Sequence, residues 1–206
     1  MYMNTMQTTI DPTVIPPRGR RRSSSSHRSI LTAVKSLVAE KGYAATTIEA
    51  VAERAGVGKT TIYRWWPTKS DLFTEVYDVL VAPEELITDS GNLNEDMQHL
   101  LNALFKIYRR TVAPEILAGL ISDAQHNEDA RRNLKGGMVI GRRDLLTAPL
   151  IRARKRGEIA KGVDVDFIAD LIVGAIWHKI LTKPRRFDGK FRKSLCRMVP
   201  TLGNAL

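Results

Sequence analysis

Residues 46–69 read Thr46-Thr47-Ile48-Glu49-Ala50-Val51-Ala52-Glu53-Arg54-Ala55-Gly56-Val57-Gly58-Lys59-Thr60-Thr61-Ile62-Tyr63-Arg64-Trp65-Trp66-Pro67-Thr68-Lys69. Thr46 through Glu49 has the spacing of a capping box, a hydroxyl followed three residues on by a carboxylate, and so predicts a helix start. Gly56 ends that helix, because glycine tolerates the left-handed backbone of a tight turn. A second short helix spans Lys59 to Trp66. Pro67 bars its continuation, having no amide proton and restricting the residue before it. Two helices crossing steeply at a tight turn need a small side chain at closest approach. Ala52 supplies it, and Val51, Ala55, Val57, Ile62 and Trp65 occupy the positions that must pack. The spacing from Ala52 through Gly56 to Ile62 fits a helix-turn-helix without insertion.

In such a pair the second helix enters the major groove of DNA. Its polar side chains suit that task. Lys59 and Arg64 can approach guanine edges or phosphate, Thr60 and Thr61 can bond bases or meet a thymine methyl, and Tyr63 can reach either. Thr46 can bind phosphate with hydroxyl and amide at a helix start, and Lys69 can do the same at the next one. Trp66 reads as core, whereas Trp65 suits core or contact. Gly56 to Thr61 imitates a phosphate-binding loop. That loop requires glycine where Glu53 stands and a strand, not a helix, before it.

Outward from this stretch the pattern is helical. Ile30, Val34, Leu37 and Val38 share one face of a helix starting near Ser26 and stopping at Lys41-Gly42. Thr68 and Asp71 form a second capping box, opening a helix through Leu72, Phe73, Val76, Tyr77 and Leu80. Asn92 and Glu95 can cap another, whose stripe is Leu93, Met97, Leu100, Leu101, Leu104, Phe105 and Tyr108. Pro114 opens a further segment, and one long segment is expected from Asp129 to Lys155. Residues 164–181 are apolar on nearly every side, and Pro200 should kink or end the last helix. No hairpin signal or repeat is present. The expected fold is all-α, with a three-helix helix-turn-helix head and a C-terminal bundle. The expected units are a disordered basic arm over 1–25, a head over 26–80 and a body over 81–206.

Composition narrows the function classes. The 206 residues carry 32 Lys and Arg against 22 Asp and Glu, a formal net charge of +10. That excess favours an acidic partner such as nucleic acid. Charge is not confined to the head: residues 1–80 hold +4 and residues 81–206 hold +6. The arginines at 18, 20, 21 and 22 are either a solvated tail or an arm that touches phosphate. Cys196 is the single cysteine, so no internal disulfide is possible and a reducing compartment is the default. No apolar run is long enough for a membrane helix. A cytoplasmic, nucleoid-associated protein without membrane contact is expected. His27, His99, His126 and His178 are not spaced as metal ligands, and no catalytic constellation stands out. Neither metal nor cofactor is expected, and the chain does not read as an enzyme.

The quoted stretch resembles the TetR family of bacterial transcriptional regulators. The likeness is carried by Thr46-Thr47-Ile48 through Ala52, by Ala55-Gly56-Val57 and by Thr61 through Lys69, within a match of about residues 28–80. The rest is similar to one C-terminal subfamily, through Asp89-Ser90-Gly91-Asn92-Leu93, Leu120 through Gln125, and Arg156-Gly157-Glu158-Ile159. The resemblance implies a homodimer on a palindromic operator, released by a small effector, hydrophobic or aromatic to suit an apolar pocket. It carries DNA contacts onto Thr46, Lys59, Thr60, Thr61, Tyr63, Arg64, Trp65 and Lys69. Trp65 departs from the pattern, since many members carry a smaller or more polar residue there. Two other classes remain open: a nonspecific architectural DNA binder, and a ligand-binding bundle with a vestigial head.

In the body, Met97, Leu101, Phe105, Tyr108, Leu120, Met138 and Trp177 are candidates to line the effector pocket, with ordinary core as the competing role. Phe167, Leu171, Gly174, His178, Leu195 and Met198, on the last two helices, are candidates for the dimer interface. Packing inside one protomer is the alternative.

Overall fold

The computed structural model describes residues 18–82, 86–136, 143–182 and 187–205, and these form helices without strands. The head comprises α1 (Arg18–Ala45), α2 (Ile48–Ala55) and α3 (Lys59–Trp65), and α4 (Lys69–Leu80) joins it to the body. The body comprises α5 (Leu93–Arg110), α6 (Ala113–His126), α7 (Glu128–Gly136), α8 (Arg143–Arg156), α9 (Val165–Thr182) and α10 (Gly189–Ala205). Among the described residues no helix is long and apolar enough to cross a membrane.

Three boundaries differ from expectation. Helix α1 begins at Arg18, well before the apolar periodicity, so residues 18–25 are helical rather than a disordered arm. No glycine or proline lies between residues 20 and 41 to break it. Residues 1–17 lie outside the described residues. The expected segment from Asp129 to Lys155 is two helices, α7 and α8, and Gly137 and Gly141 between them are also outside the described residues. Helix α10 runs through Pro200 to Ala205 rather than ending there.

The caps explain most of the other ends. Gly42 kinks α1 with φ 80°. Gly56 closes α2 with φ 66°, its amide reaching the Ala52 and Glu53 carbonyls. Thr68 and Asp71 make the expected reciprocal box at α4. Asn92 Oδ1 accepts the Glu95 amide at 3.1 Å. At α2 the cap is Thr47, whose hydroxyl accepts the Ala50 amide at 3.2 Å. The expected box from Thr46 to Glu49 is therefore displaced by one residue and lacks its carboxylate half.

One continuous core runs through head and body, from Ile30, Val34, Val51, Ile62 and Phe73 to Leu101, Ile116, Ile172 and Val199. The head touches the body through α4 and through α1, both against α6. Two clusters hold the ends of the body together. Glu158 Oε2 accepts the Leu93 amide at 2.7 Å, tying α5 to the turn after α8. Asp96 is buried and accepts from the Ser90 amide at 2.8 Å, the Ser90 hydroxyl at 2.9 Å and Arg152 at 3.4 Å. Burial alone would raise the Asp96 pKa, but these donors outweigh it and hold the carboxyl below its usual range.

Candidate functional site

The head presents one outward face. Ile62 and Trp66 are buried and turn α3 inward, which leaves Lys59, Thr60, Tyr63 and Arg64 exposed together. Tyr63 is 47% exposed. Thr61 and Trp65 are half-buried at the edges of that face. Lys59 reaches back to Glu49 at 3.2 Å, an exposed pair that an anion can displace. The Arg64 guanidinium lies 5.8 Å from the Trp65 ring centroid.

Two expected contacts are placed differently. Thr46 is fully buried, and its hydroxyl donates to the Gly42 carbonyl at 2.8 Å. The exposed hydroxyl at the start of α2 belongs to Thr47. Lys69 is folded inward. Its ammonium donates to the Tyr43 carbonyl at 3.0 Å and sits 4.4 Å from the Tyr43 ring centroid. Burial pushes its pKa below the usual lysine value, against the opposing pull of Asp123.

The orientation of α3 depends on side chains that no local pattern exposes. Trp66, just past its end, donates its indole Nε1–H to Glu75 Oε2 at 2.6 Å. The other oxygen of Glu75 meets His27 Nε2 at 2.7 Å, and the His27 ring stacks on Trp66 at 5.1 Å. Glu75 on α4 thus holds both the end of α3 and α1. Arg54 adds a second brace, donating to both oxygens of Glu40 at 2.7 and 2.8 Å and joining α2 to α1. Its hydrogen bonds, with help from Ser36, draw the Glu40 pKa down to about 2.

Among the described residues a partly open void of about 80 Å³ is bounded by Tyr77 of α4 with Val81 and Leu86 beyond it, Leu100, Leu104 and Tyr108 of α5, Leu145 and Leu146 of α8, and Val173, Ile176 and Trp177 of α9. Of the expected lining, Tyr108 and Trp177 are there. Met97, Leu101, Phe105 and Leu120 are buried in solid core. Two stripes run along α5, at 97-101-105 and at 100-104-108, and only the second faces the void. From the first, Phe105 meets Phe187, just before α10, at 5.0 Å and Phe191 of α10 at 5.6 Å. Met138 lies outside the described residues. Polar groups in the void are few. The Tyr77 and Tyr108 hydroxyls bond each other at 2.7 Å, and burial pushes Tyr108 up to about 12. A second slot beside it shares Leu86, Leu100 and Leu145 and is bordered by Arg152 and Asp96.

On α9, Phe167, Leu171, Gly174 and His178 fall on one exposed stripe, continued by Leu181. Phe167 is 50% and Leu181 56% exposed. On α10, Met198 is half-buried beside the core, but Leu195 is buried within the protomer, so it is not part of any free face.

The fold and site define a helix-turn-helix DNA-binding protein whose head sits on a cavity-bearing helical body. Comparison with known proteins gives the family. A model for the bacterial regulatory proteins of the tetR family matches residues 30–76. A model for the tetracyclin repressor-like C-terminal domain matches residues 87–199. The HTH-type transcriptional regulator YdeS of Bacillus subtilis is 30% identical over 80% of this chain and 82% of its own. The DNA-binding transcriptional repressor TetR of Mycobacteroides abscessus is 27% identical over 79% of this chain and 84% of its own. A crystal structure of a TetR family transcription regulator covers 86% of this chain and 97% of its own, with a TM-score of 0.70 and 32% identity. The transcriptional regulator FadR of Bacillus subtilis, solved in complex with stearoyl-CoA, shares the fold at 22% identity, with a TM-score of 0.65 over 87% of this chain and 99% of its own. The chain belongs to the TetR family and is a helix-turn-helix transcriptional regulator.

Proposed function

We propose that the protein is a homodimeric repressor that a small apolar effector releases from a palindromic operator. The observation that carries this reading is the placement of one helix. On α4, Tyr77 walls the cavity, while Glu75, two residues earlier, holds Trp66 at the end of the recognition helix. A displacement of α4 at the cavity therefore moves the reading face.

The size of the cavity supports a conformational response. Sites for drug-sized ligands have volumes of ~300–1,000 Å³, far above the present void. A ligand of that size widens the space between α4, α5, α8 and α9, and that widening is the differential contact through which it can favour one state. The lining fits an apolar or aromatic ligand carrying one group that bonds the Tyr77–Tyr108 pair. The bound stearoyl-CoA of the FadR neighbour agrees with an effector containing a long apolar part.

In this reading Lys59, Thr60, Tyr63 and Arg64 face the major groove, with Thr61 and Trp65 at its edge. Thr47 replaces Thr46 as the phosphate contact at the start of α2. The α9 stripe of Phe167, Leu171, Gly174 and His178, with Met198 of α10, is the self-complementary dimer face. Two-fold symmetry then predicts half-sites one helical turn or somewhat more apart. Selection from random and genomic DNA with the purified protein, at ~150 mM salt to screen loose phosphate binding, tests this. One enriched palindrome is expected. A folded protein that enriches no sequence, but binds with a steep salt dependence, defeats it in favour of nonspecific binding.

A further inference from the structure

We propose that Tyr43 and Asp123 form a tie that fixes the angle between head and body, closing in a seat shaped by Gly119 and Lys69. This rests on the reading above only in taking that angle to govern DNA binding. Tyr43 lies just beyond the kink at Gly42, so the final turn of α1 leaves the helix axis and its ring enters the body. The ring is 9% exposed. It lies flat against α6: a Cβ built on Gly119 would stand 2.1 Å from Tyr43 Cγ. Only a glycine leaves room for this contact. The Tyr43 hydroxyl then donates to Asp123 Oδ2 at 2.6 Å, across 80 residues of sequence. The edge of the ring meets Phe73 of α4 at 4.7 Å, with the planes 73° apart. Lys69 covers the ring and donates to the carbonyl of the same residue.

One tyrosine is therefore held by α1, α4 and α6 at once. Apolar side chains of α4 and α6 share the core, and apolar contacts slide at little cost because the attraction has no direction. A short hydrogen bond to a carboxylate is directional and strong. It converts a sliding contact into a fixed angle. Burial and the Asp123 carboxylate both raise the Tyr43 pKa, so its hydroxyl stays a donor throughout the ordinary pH range. Lys69 is the cation that balances Asp123 beside it.

The test uses the full chain without DNA or effector. Spin labels are placed within one protomer by Glu53→Cys in the head and Lys161→Cys in the body, both exposed, while the buried Cys196 is left in place. The labelled chain is diluted with unlabelled protein, and the distance distribution is read by pulsed electron paramagnetic resonance. Tyr43→Phe keeps the ring in its seat and removes only the hydroxyl. Asp123→Ala removes the acceptor, whereas Asp123→Asn keeps an acceptor oxygen. The expected result is a broadened or shifted distribution for Tyr43→Phe and Asp123→Ala, with Asp123→Asn resembling the parent. Melting curves and helical content confirm that each variant is folded. A distribution unchanged in Tyr43→Phe and Asp123→Ala overturns the proposal. So does equal broadening in Asp123→Asn, since the bond itself would then not be what sets the angle. Failure to select an operator would defeat the repressor reading and leave this result standing.

Discussion

The head and the body of this protein carry their functions at different ranges along the chain. In the head, the face proposed to read DNA is four side chains of one seven-residue helix, Lys59–Trp65, exposed because Ile62 and Trp66 are not. In the body, the cavity is assembled from α4, α5, α8 and α9, whose lining residues span Tyr77 to Trp177. A local face survives any rearrangement that leaves its helix intact. An assembled cavity changes whenever one of its helices shifts. The head is thus suited to recognition of a fixed partner, and the body to response.

Four measurements would break or sharpen this comparison. The largest effect is expected from Ile62→Ala, which empties the fully buried anchor of α3. Such substitutions cost about 2–5 kcal/mol, and chemical denaturation should show that loss together with loss of operator binding. If Ile62→Ala binds DNA normally, the head does not depend on that anchor.

Arg64→Ala should leave stability nearly unchanged and lower the discrimination between operator and scrambled DNA by about 1–3 kcal/mol, the value of a well-placed base contact. Titration of both duplexes at one salt concentration reads this. Equal weakening on both would make Arg64 a phosphate contact instead.

In the body, Asp96→Asn probes the buried carboxylate between Ser90 and Arg152. The folded-state pKa of Asp96 is lowered, so its stabilisation is fully present above the usual carboxylate value of about 4. It is lost as pH falls through the folded-state value. The variant should be less stable than the parent at pH 7, and the gap should close on acidification. A gap independent of pH would mean that Asp96 acts by packing alone.

The smallest effect is expected from the pair Thr47→Ala and Thr46→Ser. Loss of the cap at Thr47 should cost about 1 kcal/mol. Thr46→Ser keeps the hydroxyl on Gly42 and removes one buried methyl, with little expected change in DNA affinity. A large loss of affinity in Thr46→Ser would restore Thr46 as a contact.

The sequence made the head legible because its signals are short-ranged. Gly56, Pro67, the Thr68–Asp71 box and the alternation of Ile62 with Tyr63 and Arg64 each act within one or two turns. Positions 46 and 47 are both threonine, and only the fold tells which is buried. Lys69 is similar: its position at a helix start is local, but the Tyr43 ring that holds it is not. In the body, helix periodicity identified the apolar face of α5 without separating its two stripes. Leu104 and Leu101 are equally apolar, and only the packing of the surrounding helices makes one of them lining and the other core. The burial of Leu195 is equally a matter of how whole helices pack, which periodicity does not report.

By itself, then, the sequence determined the helical class, the family, and the α3 face on which Lys59, Thr60, Tyr63 and Arg64 stand exposed. Those features follow from short motifs, from backbone caps and from hydrophobic periodicity, which act between near neighbours. The tertiary structure alone decided which hydroxyl at the start of α2 is free, which side of α5 borders the void, and that Glu75 and Tyr43 join α4 and α6 to the DNA-reading unit. Each of these depends on contacts between residues tens of positions apart, whose meeting is set by the packing of whole helices.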